Sequence, residues 1–342
     1  MGSHRALLIG AGGMGRTWAK NLRESTQVDL VGWIDIVPDQ AAKAAEELEI
    51  GGLWTGTDLD QGLTELKPDF VVDVTPPESH HDVTIRSMAA GCAVLGEKPM
   101  ADSMEHARMA VEAADRYGKL YMVSQSRRYE PRLQGYRRLI KDHLGAIQYL
   151  SADFFLGPHF GGFREEMDYP LLLDMAIHTF DAARFLTGAD AMSVYCESFN
   201  PANSWYRGDA SAEALFAMSD GSRYSYRGSW CAEGRNTSWE SEWRAVGANG
   251  SATWDGDSDL RADVVVGSGG FFYPTKPVNG KPDPDAVPHI AGSLRDFVNA
   301  LETGSTPMGE CHDNIQSLAM VFAAIESAES GRRVDVQRLV SG

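Results

Sequence analysis

Residues 6–15 read Ala6-Leu7-Leu8-Ile9-Gly10-Ala11-Gly12-Gly13-Met14-Gly15. Four apolar residues fit a buried strand, and a G-x-G-x-x-G follows them at once. Where that motif leaves a strand and opens a helix, it predicts a turn that cradles the phosphates of a dinucleotide. Each glycine has its own task. Gly10 permits the tight turn, Gly12 lets a pyrophosphate approach the backbone, and Gly15 lets helix and strand pack closely. Gly13 and Met14 complete the expected cofactor-binding loop. The helix start adds free N–H groups and a partial positive charge aimed at the phosphates.

Working outward, residues 5–125 alternate short apolar strands with helical stretches. Strands are expected at 6–9, 28–34, 70–74, 93–95 and 120–123. Helices are expected at 38–49 and 78–90, the latter with Gly91 at its C-cap. Strict alternation means βαβ units and a parallel sheet, so residues 1–125 are expected to form a Rossmann dinucleotide-binding domain. Asp35 ends the second strand, 20 residues after Gly15. There an acidic residue accepts hydrogen bonds from the adenosine ribose. The same carboxylate repels a 2′-phosphate, and Ile36-Val37-Pro38 offers no Arg or Lys, so NAD is favoured over NADP. A solvated loop acid is the plainer alternative.

After residue 125 the pattern changes. Longer strands are expected at 146–156, 191–199, 211–219 and 222–232, and two helices near 290–303 and 312–330. The segment 267–288 is rich in Gly, Pro and Asp and reads as a long loop. Residues 126–342 are therefore expected to form an α+β domain with a large open, mainly antiparallel sheet, serving substrate binding and oligomerisation.

Composition narrows the function classes. Of 342 residues, 43% are apolar and 23% charged, the balance of a globular protein. No run of 18 uncharged apolar residues occurs, so no membrane span is expected. Met1-Gly2-Ser3-His4 lacks the basic and apolar regions of a signal peptide and reads as an added remnant. The four cysteines, Cys92, Cys196, Cys231 and Cys311, are scattered, without metal spacing. That argues against a disulfide framework or zinc site and for a reducing cytoplasm. A net charge of −17 repels nucleic acid and anionic membranes.

Two short motifs belong at the carboxyl edge of the parallel sheet, where open α/β folds bind ligands. Thr75-Pro76-Pro77 follows the third strand, and Gly96-Glu97-Lys98-Pro99 the fourth. Read alone, each is a turn or a solvated pair. The segment 171–186, LLLDMAIHTFDAARFL, is apolar on nearly all sides and predicts a buried helix. Yet it carries Asp174, His178 and Asp181, which fall within roughly 60° of one another at helical spacing. A buried helix carries such a stripe only where the groups are paired or face a site. A core histidine satisfied by a neighbouring acid stays open as the alternative. Asp174 and His178 also have metal-ligand spacing, but no local third ligand accompanies them.

Taken together, these features resemble the glucose–fructose oxidoreductase/inositol dehydrogenase (Gfo/Idh/MocA) family over nearly the whole chain. The resemblance runs from Gly10 through Thr75-Pro76-x-x-x-His80, Glu97-Lys98-Pro99, Arg128-Tyr129-x-Pro131 and Asp174-x-x-x-His178-x-x-Asp181 to the last helix, 314–333. It implies a catalytic group of Lys98, Asp174 and His178. Ala176 stands where the family often has glycine, which implies different packing with the same chemistry. Oxidation of a secondary alcohol suits these residue types. His178 titrates in the right range for a general base, Lys98 can stabilise a developing alkoxide, and Asp174 can orient the substrate or its neighbours. Whether Lys98 or His178 takes the proton stays open.

The expected activity is hydride transfer between NAD and a secondary alcohol of a sugar, cyclic polyol or glycoside. Thr75, Pro76, Glu97, Lys98 and Gln125 join the glycine loop and Asp35 as expected cofactor-binding residues. Arg128 and His159, with Lys98, Asp174 and His178, are expected to bind substrate; Arg127, Trp205 and Tyr206 are further pocket candidates. His80 and His81 read as structural. The rivals are a redox-neutral glycoside-cleaving enzyme that keeps NAD bound, a non-catalytic sugar or NAD sensor of the same fold, and a reductase of another carbonyl or imine. A homodimer or homotetramer is expected by resemblance, with no metal, nucleic acid or membrane partner.

Overall fold

The computed structural model describes residues 3–342; Met1 and Gly2, which begin the stretch set aside above, lie outside the described residues. The chain divides into two compact units, one running through Ser126 and again over Val287–Ile315, the other covering Arg127–Ala286 and Gln316–Gly342.

The first unit begins with β1 (His4–Ile9), α1 (Gly13–Glu24), β2 (Val28–Ile34), α2 (Gln40–Glu47), β3 (Trp54–Gly56) and α3 (Leu59–Leu66). It continues through β4 (Phe70–Asp73), α4 (Pro77–Ala89), β5 (Ala93–Glu97), α5 (Met104–Tyr117) and β6 (Tyr121–Ser124). The six strands are parallel, in the order β3-β2-β1-β4-β5-β6. The order reverses beside β1, so the glycine turn and the end of β4 open at the switch point where such sheets take ligands. The central strands are buried throughout, Ala6 to Ile9 and Phe70 to Asp73 alike, as a sheet covered on both faces requires. The strand β3 was not foreseen: three half-buried residues carry too little periodicity to read.

The second unit contains α6 (Pro131–His143), β7 (Ile147–Phe155), α7 (Ile177–Thr187), β8 (Ala191–Phe199), β9 (Ser211–Met218), β10 (Arg223–Ser229), β11 (Glu242–Gly247), β12 (Gly250–Trp254), β13 (Leu260–Val265) and β14 (Thr275–Asn279). Among the described residues these eight strands and a ninth at Val334–Asp335 form one sheet, in which only the β7·β10 pair is parallel. Burial alternates along the strands, as in β9 and β11, so one face is covered and the other open. On the covered face Phe180 of α7 meets Phe216 and Tyr226 edge-on, with ring centroids 4.9 and 5.2 Å apart. From α6, the Tyr136 hydroxyl donates to the Ala252 carbonyl at 3.1 Å. The expected loop 267–288 contains β14, an exposed edge strand with Pro277 inside it, a composition that reads as loop.

Three elements complete the chain: α8 (His289–Thr303), α9 (Cys311–Ser330) and, after β15 (Val334–Asp335), the short α10 (Val336–Ser341). Here the expected extent of the second domain, 126–342, differs from the structure. Val287–Ile315 belongs with the first unit, because α8 puts Phe297 against Phe70 of β4, centroids 5.2 Å apart, and Gly309 accepts a backbone bond from Val123 of β6. A C-terminal helix that returns to the first sheet leaves no local mark in the sequence.

Candidate functional site

In the glycine loop of the first unit, Gly10 and Gly15 stand at close backbone approaches. Gly10 has φ +98°, and a Cβ there would stand 2.6 Å from the Val74 carbonyl oxygen. A Cβ on Gly15 would lie 2.1 Å from the Gly10 carbonyl oxygen. Those two glycines are required by the protein's own backbone. Gly12 and Gly13 would meet nothing within 4 Å, and both are exposed with Met14. An open backbone at the start of α1 has the form that fits a pyrophosphate.

Side chains fix the loop and the helix that follows it. The Asp35 carboxylate accepts from the Ala11 N–H at 2.7 Å and the Val37 N–H at 2.9 Å, which fixes it at the end of β2. Arg16 donates to the Ala11 carbonyl at 2.5 Å and to Glu47 of α2 at 2.9 Å. The Trp18 indole donates to the Glu97 carboxylate at 2.7 Å. Arg16 and Trp18 were missed by the sequence reading, since each looks like an ordinary helix residue there.

The two edge motifs are joined through His80. Its Nε2 lies 2.7 Å from the Thr75 carbonyl and its Nδ1 2.8 Å from the Pro99 carbonyl. A carbonyl only accepts, so both contacts are hydrogen bonds only when the imidazole carries both protons. Burial pushes the Asp73 and Glu97 carboxyls above the usual carboxylate range, against the pull of the nearby His80 ring. Asp73 accepts from the Thr75 N–H and hydroxyl, at 3.0 and 2.6 Å. Glu97, besides Trp18, accepts from the Lys98 N–H at 3.1 Å. Glu97 is thus a buried support for the Lys98 backbone. Pro76 is exposed, Thr75 and Lys98 half-buried, and Gln125 buried just after β6.

In the second unit the helix 171–186 differs from the straight α-helix expected. Leu171–Ala176 winds as a π-helix and only then passes into α7. The wider turn shifts Asp174 from the α-helical angle assumed from its spacing; such insertions are frequent at functional sites. From Leu171 to Leu186 the side chains are buried except Leu173, Asp174 and His178. The third member of the stripe, Asp181, is buried and takes two bonds from the Arg128 guanidinium, at 2.6 and 2.8 Å, and one from the Ser317 hydroxyl at 2.7 Å. This revises the expected substrate role of Arg128: its guanidinium lies in a buried bidentate ion pair. Asp174 accepts from Arg164 at 2.6 Å.

Of the other expected pocket residues, His159 stacks on Trp205 with centroids 3.7 Å apart and lies 2.8 Å from Glu233. Tyr206 donates to the Pro158 carbonyl at 3.2 Å. Arg127 reaches the sulfur of Met175, next to Asp174, at 3.6 Å. Phe160 and Phe163 flank the Arg164 guanidinium at 5.1 and 4.8 Å. An aromatic, partly charged surface therefore adjoins Asp174.

Residues 4–125 match the model of an oxidoreductase family with an NAD-binding Rossmann fold, and residues 134–253 match the C-terminal domain of the same family. D-apiose dehydrogenase of Paraburkholderia graminis is 26% identical, over 98% of this chain and 90% of its own. Inositol 2-dehydrogenase of Rhizobium meliloti is 24% identical, over 96% and 98%. An oxidoreductase from Agrobacterium radiobacter, solved with NAD+, L-tartaric acid and magnesium, superposes with a TM-score of 0.86 at 20% identity, covering 98% of this chain and 99% of its own. With both domain models matched in order on one chain, and with relatives aligned nearly end to end, this protein belongs to the Gfo/Idh/MocA family of oxidoreductases and carries its NAD-binding Rossmann domain.

Proposed function

We propose that this protein is an NAD-dependent dehydrogenase that oxidises a secondary alcohol of a sugar, cyclic polyol or glycoside, with Lys98, Asp174 and His178 acting on the alcohol. One observation carries the reading: in a helix otherwise buried, Asp174 and His178 are the ionisable side chains left partly open, while Asp181 is consumed by Arg128. The activities named for the apiose and inositol dehydrogenase relatives support the substrate class.

Bound NAD supplies the hydride acceptor. Gly10, Gly12, Gly13, Met14 and Gly15 hold its phosphates, Asp35 its adenosine ribose, and Thr75, Pro76, Glu97, Lys98 and Gln125 line the remainder. Asp35 disfavours a 2′-phosphate by charge, and the exposed Ile36 beside it offers no cation. The Lys98 ammonium stabilises the developing alkoxide, and His178 receives the hydroxyl proton. Asp174, braced by Arg164, sets the orientation of the hydroxyls. His159 and the aromatic groups near Arg164 contact the rest of the substrate.

No helix among the described residues is long and apolar enough to cross a membrane. Four free, buried cysteines fit a cytoplasmic setting. Tyr149, Tyr195 and Leu215, each about 40% exposed on the open sheet face, are the surface through which we place a homodimer or homotetramer. The test is a panel of polyols, sugars and glycosides supplied with NAD or NADP and followed at the NADH absorbance band. NADH should form with at least one member, faster with NAD. Silence across the panel, with no keto-sugar formed, would overturn the reading.

A further inference from the structure

On the first unit, two histidines and a carboxylate meet outside the cofactor loops. His81 stands in α4 and His106 in the first turn of α5, with Asp102 just before it. The imidazole rings stack, centroids 3.6 Å apart and planes at 12°. Asp102 Oδ1 lies 2.6 Å from His106 Nδ1. One ligand-capable atom from each of the three residues falls within 4.8 Å of the other two. Nδ1 of His81 is buried and has no hydrogen-bond partner among the described residues, an arrangement that costs free energy unless something occupies it.

We propose that His81, Asp102 and His106 form a binding site for a divalent transition metal of the zinc class. Two imidazole nitrogens and one carboxylate oxygen suit zinc, nickel or copper rather than the all-oxygen shells of magnesium and calcium. Three protein ligands leave coordination positions for water, and the half-exposed side chains of His106 and Asp102 give the ion access from solvent. Ligand atoms around one zinc ion stand about 3.4 Å apart, given bonds of about 2.1 Å. Binding therefore turns the two rings from stacked to convergent, a movement of side chains alone.

The site would clamp α4 to α5 near their starts. The helix α4 begins directly after Thr75-Pro76, and α5 begins at Met104, shortly after Lys98-Pro99; His80 ties the two motifs together one residue before His81. A second cluster, Glu310, Cys311 and His312, also holds ligand atoms within 4.8 Å. Among the described residues it has no counterpart of the unpartnered His81 nitrogen: the Cys311 thiol and the His312 ring both engage Glu310, at 3.0 and 2.8 Å, and His312 reaches Asp115 at 3.2 Å.

The experiment is calorimetric titration of zinc chloride into metal-stripped full-length protein near pH 7.5, with magnesium chloride as a second arm. One zinc ion per chain should bind in the micromolar range or tighter, and magnesium should not compete. His81→Ala, His106→Ala and Asp102→Asn should each weaken zinc by more than about 100-fold, since losing even an outer-shell partner costs about 10- to 100-fold. His312→Ala should bind as the parent does. Zinc should raise the melting temperature of the parent and not of the three variants; the exposed Asp102→Asn preserves the test should a histidine variant misfold. Absence of micromolar binding, unchanged binding in both histidine variants, or loss of binding in His312→Ala would each overturn the site. None of these readouts depends on alcohol oxidation.

Discussion

The glycine loop of the first unit and the Asp174–His178 helix of the second are both proposed centres of chemistry, yet they are specified in opposite ways. The loop is specified by what is missing. Gly10 and Gly15 lack a Cβ because backbone oxygens stand 2.6 and 2.1 Å from where it would be. The helix is specified by what each side chain has been given to hold: Asp181 has Arg128 and Ser317, and Asp174 has Arg164. Backbone constraints of the first kind have a fixed spacing. Partnerships of the second kind join residues 10 to 136 positions apart and depend on the finished fold.

The sharpest way to break this comparison is to remove the groups that the helix and the edge motif are proposed to devote to chemistry. His178→Asn should lower turnover by about 10² to 10⁴-fold, the usual contribution of a general base, and leave NAD affinity and melting temperature nearly unchanged. Lys98→Ala should be at least as damaging, because it removes a charge aimed at the alkoxide. Turnover per folded molecule and thermal midpoint, measured on one preparation, separate this from a core histidine. In that case the midpoint would fall and turnover would survive. The pH profile of whichever variant keeps measurable turnover then tests the assignment of the proton to His178.

Asp181 makes the opposite forecast from the same stripe. Arg128→Met leaves a buried carboxylate without its bidentate partner, and breaking such a pair costs about 3–5 kcal/mol. Denaturant unfolding should show that loss, while the Michaelis constant for the alcohol stays close to the parent value. A raised Michaelis constant at unchanged stability would return Arg128 to the substrate site.

Within the loop, the two kinds of glycine should part in the same way. A Cβ at position 15 forces the Gly10 carbonyl to move, and overpacking of this sort costs about 1–3 kcal/mol. Gly15→Ala should therefore lower the melting temperature. Gly12→Ala meets no protein atom within 4 Å, so it should melt with the parent and lose NAD affinity instead. Equal melting losses in both would mean that the bare backbone at Gly12 serves the fold alone.

These contrasts also explain what was legible in advance. The parallel sheet, its glycine turn and Asp35 could be read because burial on both faces and a missing Cβ act locally. The second sheet was readable at β7 to β10, where strands are long. It was not readable at β14, whose exposed edge and Pro277 give it the composition of a loop. The stripe on 171–186 was visible as an anomaly. Its sorting was not, because Arg128, Arg164 and the π-turn at Leu171–Ala176 decide which acid is structural. Trp18 and Arg16 escaped for the same reason: their partners, Glu97 and Glu47, lie on other elements.

Glu97 tests whether the loop region is as independent of side chains as the glycines imply. Burial pushes its carboxyl above the ordinary range, against the pull of the Trp18 and Lys98 N–H groups and of the Lys98 and His80 charges. The folded protein therefore holds this proton more tightly than the unfolded chain does. The stability tied to the protonated form is whole below the ordinary glutamate value of about 4.3 and is lost as pH rises through the raised folded value. Glu97→Gln has no proton to lose. The stability of Glu97→Gln relative to the parent should therefore be flat below about pH 4.3 and increase with pH above it. Urea unfolding of both proteins from pH 4 to pH 8 reads this slope directly, whatever the offset from the hydrogen bond the amide cannot accept. A level difference over the whole range would mean that Glu97 is held as an ordinary carboxylate, its burial offset by the Trp18 hydrogen bond and the Lys98 charge. The edge motif would then depend on a side-chain ion pair, as the helix of the second unit does.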